Sequence, residues 1–211
     1  MKVVLFNGPP KSGKDTAVSA CLKEFDKHYI HGEKQPEHAF GDWNPYVYKF
    51  AEPLKKAAIS LIGGDPERSN IENQQYKNTP QEDFFGEVPR DVLISLSEYF
   101  AKPLWGNNFF GRVAVNRLRR FSELNPIGAA QTVVLISDCG FKEEVMPVRE
   151  FVGADNVLLV RISRPDCNFD GDSRSYLHGL DVDTVAEYHN NGTKEQFESK
   201  VVEGVAKWLR T

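Results

Sequence analysis

Lys2-Val3-Val4-Leu5-Phe6-Asn7-Gly8-Pro9-Pro10-Lys11-Ser12-Gly13-Lys14-Asp15-Thr16 is the stretch whose reading decides the fold. An apolar run, Lys2 to Asn7, ends in a glycine turn and leads into a helix-patterned segment, Lys14 to Phe25, so the order is strand, loop, helix. Gly8 to Lys14 satisfies the GxxxxGK core of the Walker A motif in the context which that motif requires. A loop of this kind cradles phosphate by turning successive backbone N–H groups inward. Gly8 and Gly13 allow the angles and close approach that a Cβ would obstruct, and the helix N-terminus adds its positive end. The expected ATP-binding set is Gly8, Lys11, Ser12, Gly13, Lys14, Asp15 and Thr16, with Lys14 reaching the β- and γ-phosphates and following charge onto the transferred group.

Asp15 stands where the full motif has the Ser or Thr that coordinates Mg²⁺, and Thr16 is displaced by one position. A carboxylate there can hold Mg²⁺ directly or through water, accept the proton of an acceptor group, or simply favour the helix N-terminus. Thr16 could hydrogen-bond an α-phosphate.

Outward from the loop, Tyr46 to Phe50 reads as a strand and Pro53 to Ile62 as a helix stopped by Gly63-Gly64. Asp65 to Val88 is polar and weakly periodic, either a substrate loop or a surface excursion. Helices are expected over Pro89 to Ala101 and Asn108 to Ser122, the second carrying Arg112, Arg117, Arg119 and Arg120, whose plainer reading is a solvated face. Thr132 to Ile136 and Asn156 to Ile162 are continuous apolar strands with a helix, Lys142 to Val152, between them. Asp181 to Tyr188 is a weaker strand, and Thr193 to Leu209 closes the chain as an amphipathic helix. The alternation predicts an α/β fold, a three-layer P-loop sandwich with a mostly parallel central sheet and with ligand at the carboxyl ends of the strands; the polar, arginine-bearing segment over about 164–179 has the look of a short lid. The 211 residues fit a single domain, 1–211, rather than two independent ones.

A net charge of −4 offers no global attraction for nucleic acid, so an anionic ligand must be held by a local cluster of donors, which points to a small phosphorylated molecule. No apolar run approaches the ~20 residues of a spanning helix. Met1-Lys2 runs straight into the strand, leaving no room for a signal peptide, so a cytoplasmic location is expected. Cys21, Cys139 and Cys167 are odd in number and widely spaced, which supports neither a disulfide framework nor a zinc site.

Asp138 follows the strand Thr132 to Ile136, where a Walker B-like acid would meet Mg²⁺ or the acceptor, or where an ordinary turn residue would stand. Arg161, Arg164 and Arg174 flank or occupy the lid segment and could carry positive charge to the transferring phosphate while water is excluded; the alternative is a solvated loop. Arg90, in the first turn of a helix, could clamp the acceptor's phosphate. Asn191-Gly192 could touch adenine, although Thr193 with Gln196 also forms a capping-box pattern for the last helix.

These residues resemble the phage-type deoxynucleoside monophosphate kinases, a branch of the P-loop nucleoside monophosphate kinases. The resemblance is carried by Lys11 to Thr16, Phe50-Ala51-Glu52-Pro53-Leu54-Lys55, Pro89-Arg90-Asp91-Val92-Leu93, Ile136-Ser137-Asp138 with Phe141 and Glu144, and Asn191-Gly192-Thr193. It implies an ATP- and Mg²⁺-dependent enzyme that makes deoxynucleoside diphosphates and could be a homodimer, acting on neither a nucleic acid polymer nor a membrane. It also implies a helical acceptor-binding region over about 50–122 and assigns Lys14 to ATP, Arg90 and Lys55 to the acceptor, and Asp15 and Asp138 to metal and proton chemistry; the reading of the lid arginines adds Arg161 as an acceptor contact and Arg164 and Arg174 at the transferring group. Two positions depart from the family's pattern. Cys139-Gly140 follows Asp138 where the family usually has an arginine two residues on, and Ser95-Leu96-Ser97-Glu98 replaces a Gln-containing, glycine-threonine helix pattern. Animal-type phosphomevalonate kinase shares the Ser-Gly-Lys-Asp loop, so an isoprenoid phosphate is an alternative acceptor. A P-loop module that binds nucleotide without transferring phosphate to a small molecule is the alternative of a different class; it would ordinarily carry Ser or Thr after the lysine and a larger basic surface.

Overall fold

Val3, Val4, Leu5 and Phe6 are all fully buried, as are Val133 to Ile136. Strands with no solvent-facing side must be covered on both faces, which is the condition for a parallel sheet. A computed structural model, which describes residues 1–26, 29–30, 33–34, 39–180, 182 and 184–211, has this architecture. Its strands are β1 (Lys2–Asn7), the short antiparallel pair β2 (Tyr29–Ile30) and β3 (Glu33–Lys34), β4 (Asn44–Tyr48), β5 (Thr132–Ile136), β6 (Val157–Ser163) and β7 (Thr184–His189). The main sheet is α/β, all parallel, in the order β4-β5-β1-β6-β7, with Val4 in register with Leu135 on one side and Leu158 on the other.

The chain divides into two compact units, Met1–Lys49 with Gly111–Thr211, and Phe50–Phe110. In the first, α1 (Lys14–Asp26) and the closing helix, Lys194–Leu209, share a core with Val4, Phe6, Val133, Leu135, Leu158 and Val160. The alternate strand residues Val3, Leu5, Val134, Ile136 and Leu159 are buried on the opposite face. Among the described residues no helix is long and apolar enough to cross a membrane. All three cysteines are free; burial pushes the Cys21 thiol up to about 12, and the buried Cys139 Sγ donates to Phe6 O.

The second unit holds α2 (Glu52–Leu61), α3 (Gln74–Lys77), α4 (Pro89–Ser95), a π-helical stretch (Leu96–Ala101) and α5 (Lys102–Trp105). Most of Asp65 to Val88 is exposed, and it is anchored by Ile71 and Phe84, which are buried with Ile59 in a small core. The helix expected to end at Ala101 instead continues through the π stretch to Trp105. Then α6 (Phe109–Leu124) and α7 (Pro126–Ala130) lead to β5, and α8 (Lys142–Val152) and α9 (Lys194–Leu209) match their expected ranges closely. β4 begins at Asn44, two residues before the expected strand, and contains Pro45. An edge strand tolerates a residue with no N–H. Of the expected strand Asp181 to Tyr188, residues 181 and 183 lie outside the described residues; β7 occupies 184–189.

Gly111 brings α6 against α8, where an added Cβ would collide with Glu144 O and lie 3.0 Å from Pro147 Cγ. Ala is ordinarily the better helix former by about 1 kcal/mol, but here the obstacle is backbone. Gly111→Ala should therefore destabilise the protein by about 1–3 kcal/mol, read as a lower denaturant midpoint; an unchanged or raised midpoint would mean that the helices are not held this closely.

Candidate phosphate-binding site

After β1 the chain moves two places along the sheet one way, to β4, and after β5 it moves two places the other way, to β6. The crevice at the carboxyl ends of β1 and β5 is thus the switch point of the sheet, where open α/β sheets bind ligands. The loop Gly8 to Gly13 and the turn Ser137-Asp138 lie at these two ends.

The loop curls tightly. A Cβ at Gly8 would run into Ile162 O of β6 and lie 2.7 Å from Ser12 Oγ. Gly13 has φ 113° and Lys11 φ 63°. A non-glycine residue in the left-handed region costs about 1–2 kcal/mol, so the surrounding loop must impose it. Ser12 N donates to Pro9 O at 3.2 Å, and Asn190 Nδ2 donates to Ser12 O at 2.9 Å while Asn190 N donates to Ser163 O at 2.7 Å. Asn190 therefore pins the loop to the end of β6, a part for which its position beside Asn191-Gly192 gives no distinctive signal. Asn191 and Gly192, expected to approach adenine, are exposed in the turn before α9. There Thr193 accepts from Gln196 N and its own N–H donates to Gln196 Oε1, so the capping box is complete.

Lys14 is nearly buried, and its Nζ donates to Gly8 O and Pro9 O, both at 2.7 Å. Burial lowers its pKa, the Arg174 guanidinium lowers it further, and Asp15 opposes both. An ammonium has three donors, and two of them lock the loop. Ser12 Oγ is buried with no hydrogen-bond partner among the described residues. A buried orphan hydroxyl costs about 1–3 kcal/mol, and a phosphate oxygen in the cradle would satisfy it. The loop's geometry therefore fits a nucleotide phosphate.

Across the crevice Ser137 Oγ donates to Asp15 Oδ1 at 2.9 Å, which ties the first turn of α1 to the end of β5. Asp15 is exposed and Asp138 half-buried. They are the carboxylates a hard cation would meet here, and Mg²⁺ with a nucleotide commonly takes one or two carboxylates, the rest of its shell being phosphate and water. Arg174 forms a two-point pair with Asp172, Nε to Oδ1 at 2.8 Å and Nη2 to Oδ2 at 2.5 Å. That pair raises its pKa, with Asp138 and Glu144 adding to the effect against burial. Lys14, Arg174, Asp138 and the buried Glu144 thus share one electrostatic neighbourhood. Glu144 stands out in the sequence only as part of the family resemblance; its burial, which marks it as part of the site's charge balance, has no local sequence signal. Arg164 reaches the loop from outside, Nη1 donating to Lys11 O at 3.4 Å.

Arg161, expected as an acceptor contact, is engaged within the fold. Its Nε and Nη2 donate to Leu177 O at 3.1 and 2.6 Å, and its Nη1 pairs with Glu187 at 3.0 Å. The guanidinium fastens β6 to β7 and to the segment that connects them. Lys55 and Arg90 belong to the second unit. Lys55 pairs with Glu72 at 2.5 Å, and the exposed Arg90 donates from Nε to Asn78 Oδ1 at 2.6 Å, so the unit anchors them at separate points.

Compared with protein-family models and with curated proteins, the chain has no match in either. The chemistry of the site is read from its residues. Ser12→Ala separates anion binding from folding: with no bond to lose, the unfolding free energy should stay within about 0.5 kcal/mol or rise, while affinity for ATP falls about tenfold, the worth of one hydrogen bond to a charged group. Calorimetric titration beside a denaturant melt checks it, and a clear loss of stability would show that the hydroxyl has a protein partner.

Proposed function

We propose that this protein is a P-loop kinase that transfers the γ-phosphoryl group of ATP, with Mg²⁺, to a small phosphorylated acceptor, a deoxynucleoside monophosphate by its resemblance to the phage-type enzymes. The observation that carries this reading is the pairing of the curled loop and its buried Lys14 with a second acid, Asp138, at the switch point of the sheet. Asp15 in place of the usual hydroxyl adds a carboxylate linked to β5 through Ser137.

In this reading the loop N–H groups, Ser12 Oγ and Lys14 hold the β- and γ-phosphates of ATP. Asp15 and Asp138 would hold Mg²⁺, which supplies charge neutralisation on the phosphate oxygens. Arg174 and Arg164 add positive charge beside the transferring group, and a carboxylate of the pair orients the acceptor oxygen. Phosphoryl transfer asks little covalent chemistry of the protein, so positioning and electrostatics supply most of the rate. Arg90 and Lys55 remain the acceptor contacts that the resemblance proposes. A phosphomevalonate-type acceptor would use the same loop and differ only in what the second unit recognises.

ADP release from ATP and Mg²⁺, measured with each deoxynucleoside and ribonucleoside monophosphate and with phosphomevalonate offered separately, tests the reading and names the acceptor. Lys14→Ala should cut turnover by at least about 10³-fold with the fold intact by circular dichroism; substantial residual activity would sink the loop assignment. Arg90→Ala should raise KM for the acceptor about tenfold or more, the worth of a lost charge-assisted bond, with KM for ATP unchanged. An effect confined to ATP would place the acceptor's phosphate elsewhere.

A further inference from the structure

Asn7 is fully buried at the end of β1, one residue before the phosphate loop. Its side-chain amide is used at both ends: Nδ2 donates to Cys139 O and to Ser175 O, both at 3.1 Å, and Oδ1 accepts from Leu177 N at 2.9 Å. Only an amide of this length supplies two donors and an acceptor together; a carboxylate would lose both donors and an alanine all three. Buried polar groups left without these partners would be costly, so the side chain and its three partners hold one another in place.

The partners lie on two separate stretches. Cys139 is in the turn after β5, and Ser175 and Leu177 are in the segment after β6, which has neither helix nor strand from Arg164 to Leu180. That segment is nevertheless anchored. Leu177 and Leu180 are buried, Tyr176 OH donates to Ile162 O at 3.2 Å, Tyr176 meets Phe169 edge to face, and Arg161 holds Leu177 O with two donors. Arg174 immediately precedes the clamped run. Its backbone N donates to Asp172 Oδ1 at 3.0 Å, and its stem lies across Gly140, where a Cβ would come within 2.7 Å of Arg174 Cβ. Gly140 in turn follows Cys139, whose carbonyl Asn7 holds. Asn7 thus ties together both walls of the slot that seats Arg174.

The geometry points to Asn7 as the positioning residue that keeps Arg174 seated over Gly140, past the carboxyl end of β5, in the resting protein, so that the segment 164–180 is a standing strap rather than a lid that must close before transfer. The role in transfer rests on the kinase reading above; the clasp itself does not. A strap fixed in advance spares the reorganisation that an incoming arginine would need at the moment of reaction. Loss of Asn7 should lower kcat more than it raises KM, because the loop and Lys14 still hold ATP.

The experiment is a cycle of kcat and KM for the unmodified chain, Asn7→Ala, Asn7→Asp, Arg174→Ala and the Asn7→Ala/Arg174→Ala pair, joined to hydrogen exchange over residues 173–178. Arg174→Ala should cost about 10²–10³-fold in kcat. Asn7→Ala and Asn7→Asp should each cost about tenfold or more, with KM for ATP within about twofold. In the Arg174→Ala background, removing Asn7 should cost less than about twofold further. Losses that multiply in full would mean that Asn7 acts on the loop and not through Arg174, and would overturn the assignment. Exchange at Leu177 N–H should be slow without nucleotide and fast in Asn7→Ala; a segment that exchanges freely until nucleotide is added is a lid, and the strap is refuted. Should the unmodified chain turn over no acceptor, the kinase reading fails while the exchange result still decides the clasp. Should Asn7→Ala not fold, Gly140→Ala, which displaces the arginine's stem without touching Asn7, should reproduce the loss of kcat.

Discussion

At Gly8 the chain leaves β1 so close to Ile162 O that no Cβ fits between them. β1 is the central strand, buried on both faces and bonded to β5 and β6, so the loop that follows starts from the most rigid point of the sheet. With no room to bow outward, it curls over Lys14, whose ammonium is taken up by the carbonyls of Gly8 and Pro9. Removing that charge from water is unfavourable, and the two carbonyls offset part of the cost. The same low local dielectric makes the charge worth more to an arriving phosphate than it would be at a surface. A chain with a net charge of −4 can hold a polyanion only in this way, by a few cations and dipoles aimed at one point.

The cations of the site are not equivalent. Burial and Arg174 lower the pKa of Lys14, whereas Asp172, Asp138 and Glu144 raise that of Arg174. Arg174 is therefore a fixed charge, already paired in the resting protein. Lys14 is held by the carbonyls of Gly8 and Pro9, and in the proposed reading an arriving phosphate would favour its charged form. A guanidinium in a two-point pair loses little freedom on meeting another anion, while an ammonium on a flexible stem can follow charge as it moves. The arrangement places the rigid cation on the strap and the adaptable one under the loop.

What could be read from the sequence was what short-range physics dictates. β1, the loop and α1 follow from an apolar run, two glycines and a helical period. β5 and β6 follow from unbroken apolar runs, and the start of α9 follows from Thr193 and Gln196 three residues apart. What could not be read depends on partners far along the chain. Asn7 bonds to residues 132, 168 and 170 positions away, and Asn190 to one 178 positions away. An asparagine at a strand end carries no mark that distinguishes a clasp from a turn residue. Arg161 and Arg174 are equally indistinguishable as letters. The first faces Leu177 O and Glu187 and becomes a fastener, and the second is seated over a glycine among acids. Composition made the segment 65–88 look loose, because its core consists of two apolar residues, Ile71 and Phe84, closing on Ile59 from outside the segment.

The helical run of the second unit shows how a local irregularity defeats periodic reading. From Pro89 an α-helical pattern predicts one continuous buried stripe, but the backbone passes through π-type bonding between Leu96 and Ala101. Bonding from i to i+5 adds a residue to the turn and rotates everything after it about the helix axis, so positions chosen by a 3.6-residue period no longer share a face. Ala101 is consequently buried while Tyr99 and Leu104 are exposed. Trp105 is turned to stack on Phe109 with ring centroids 4.6 Å apart. The change of face falls at Ser95-Leu96-Ser97-Glu98, the stretch where the sequence leaves the pattern of the kinases it resembles. The unit has a small core of its own in Ile59, Ile71 and Phe84.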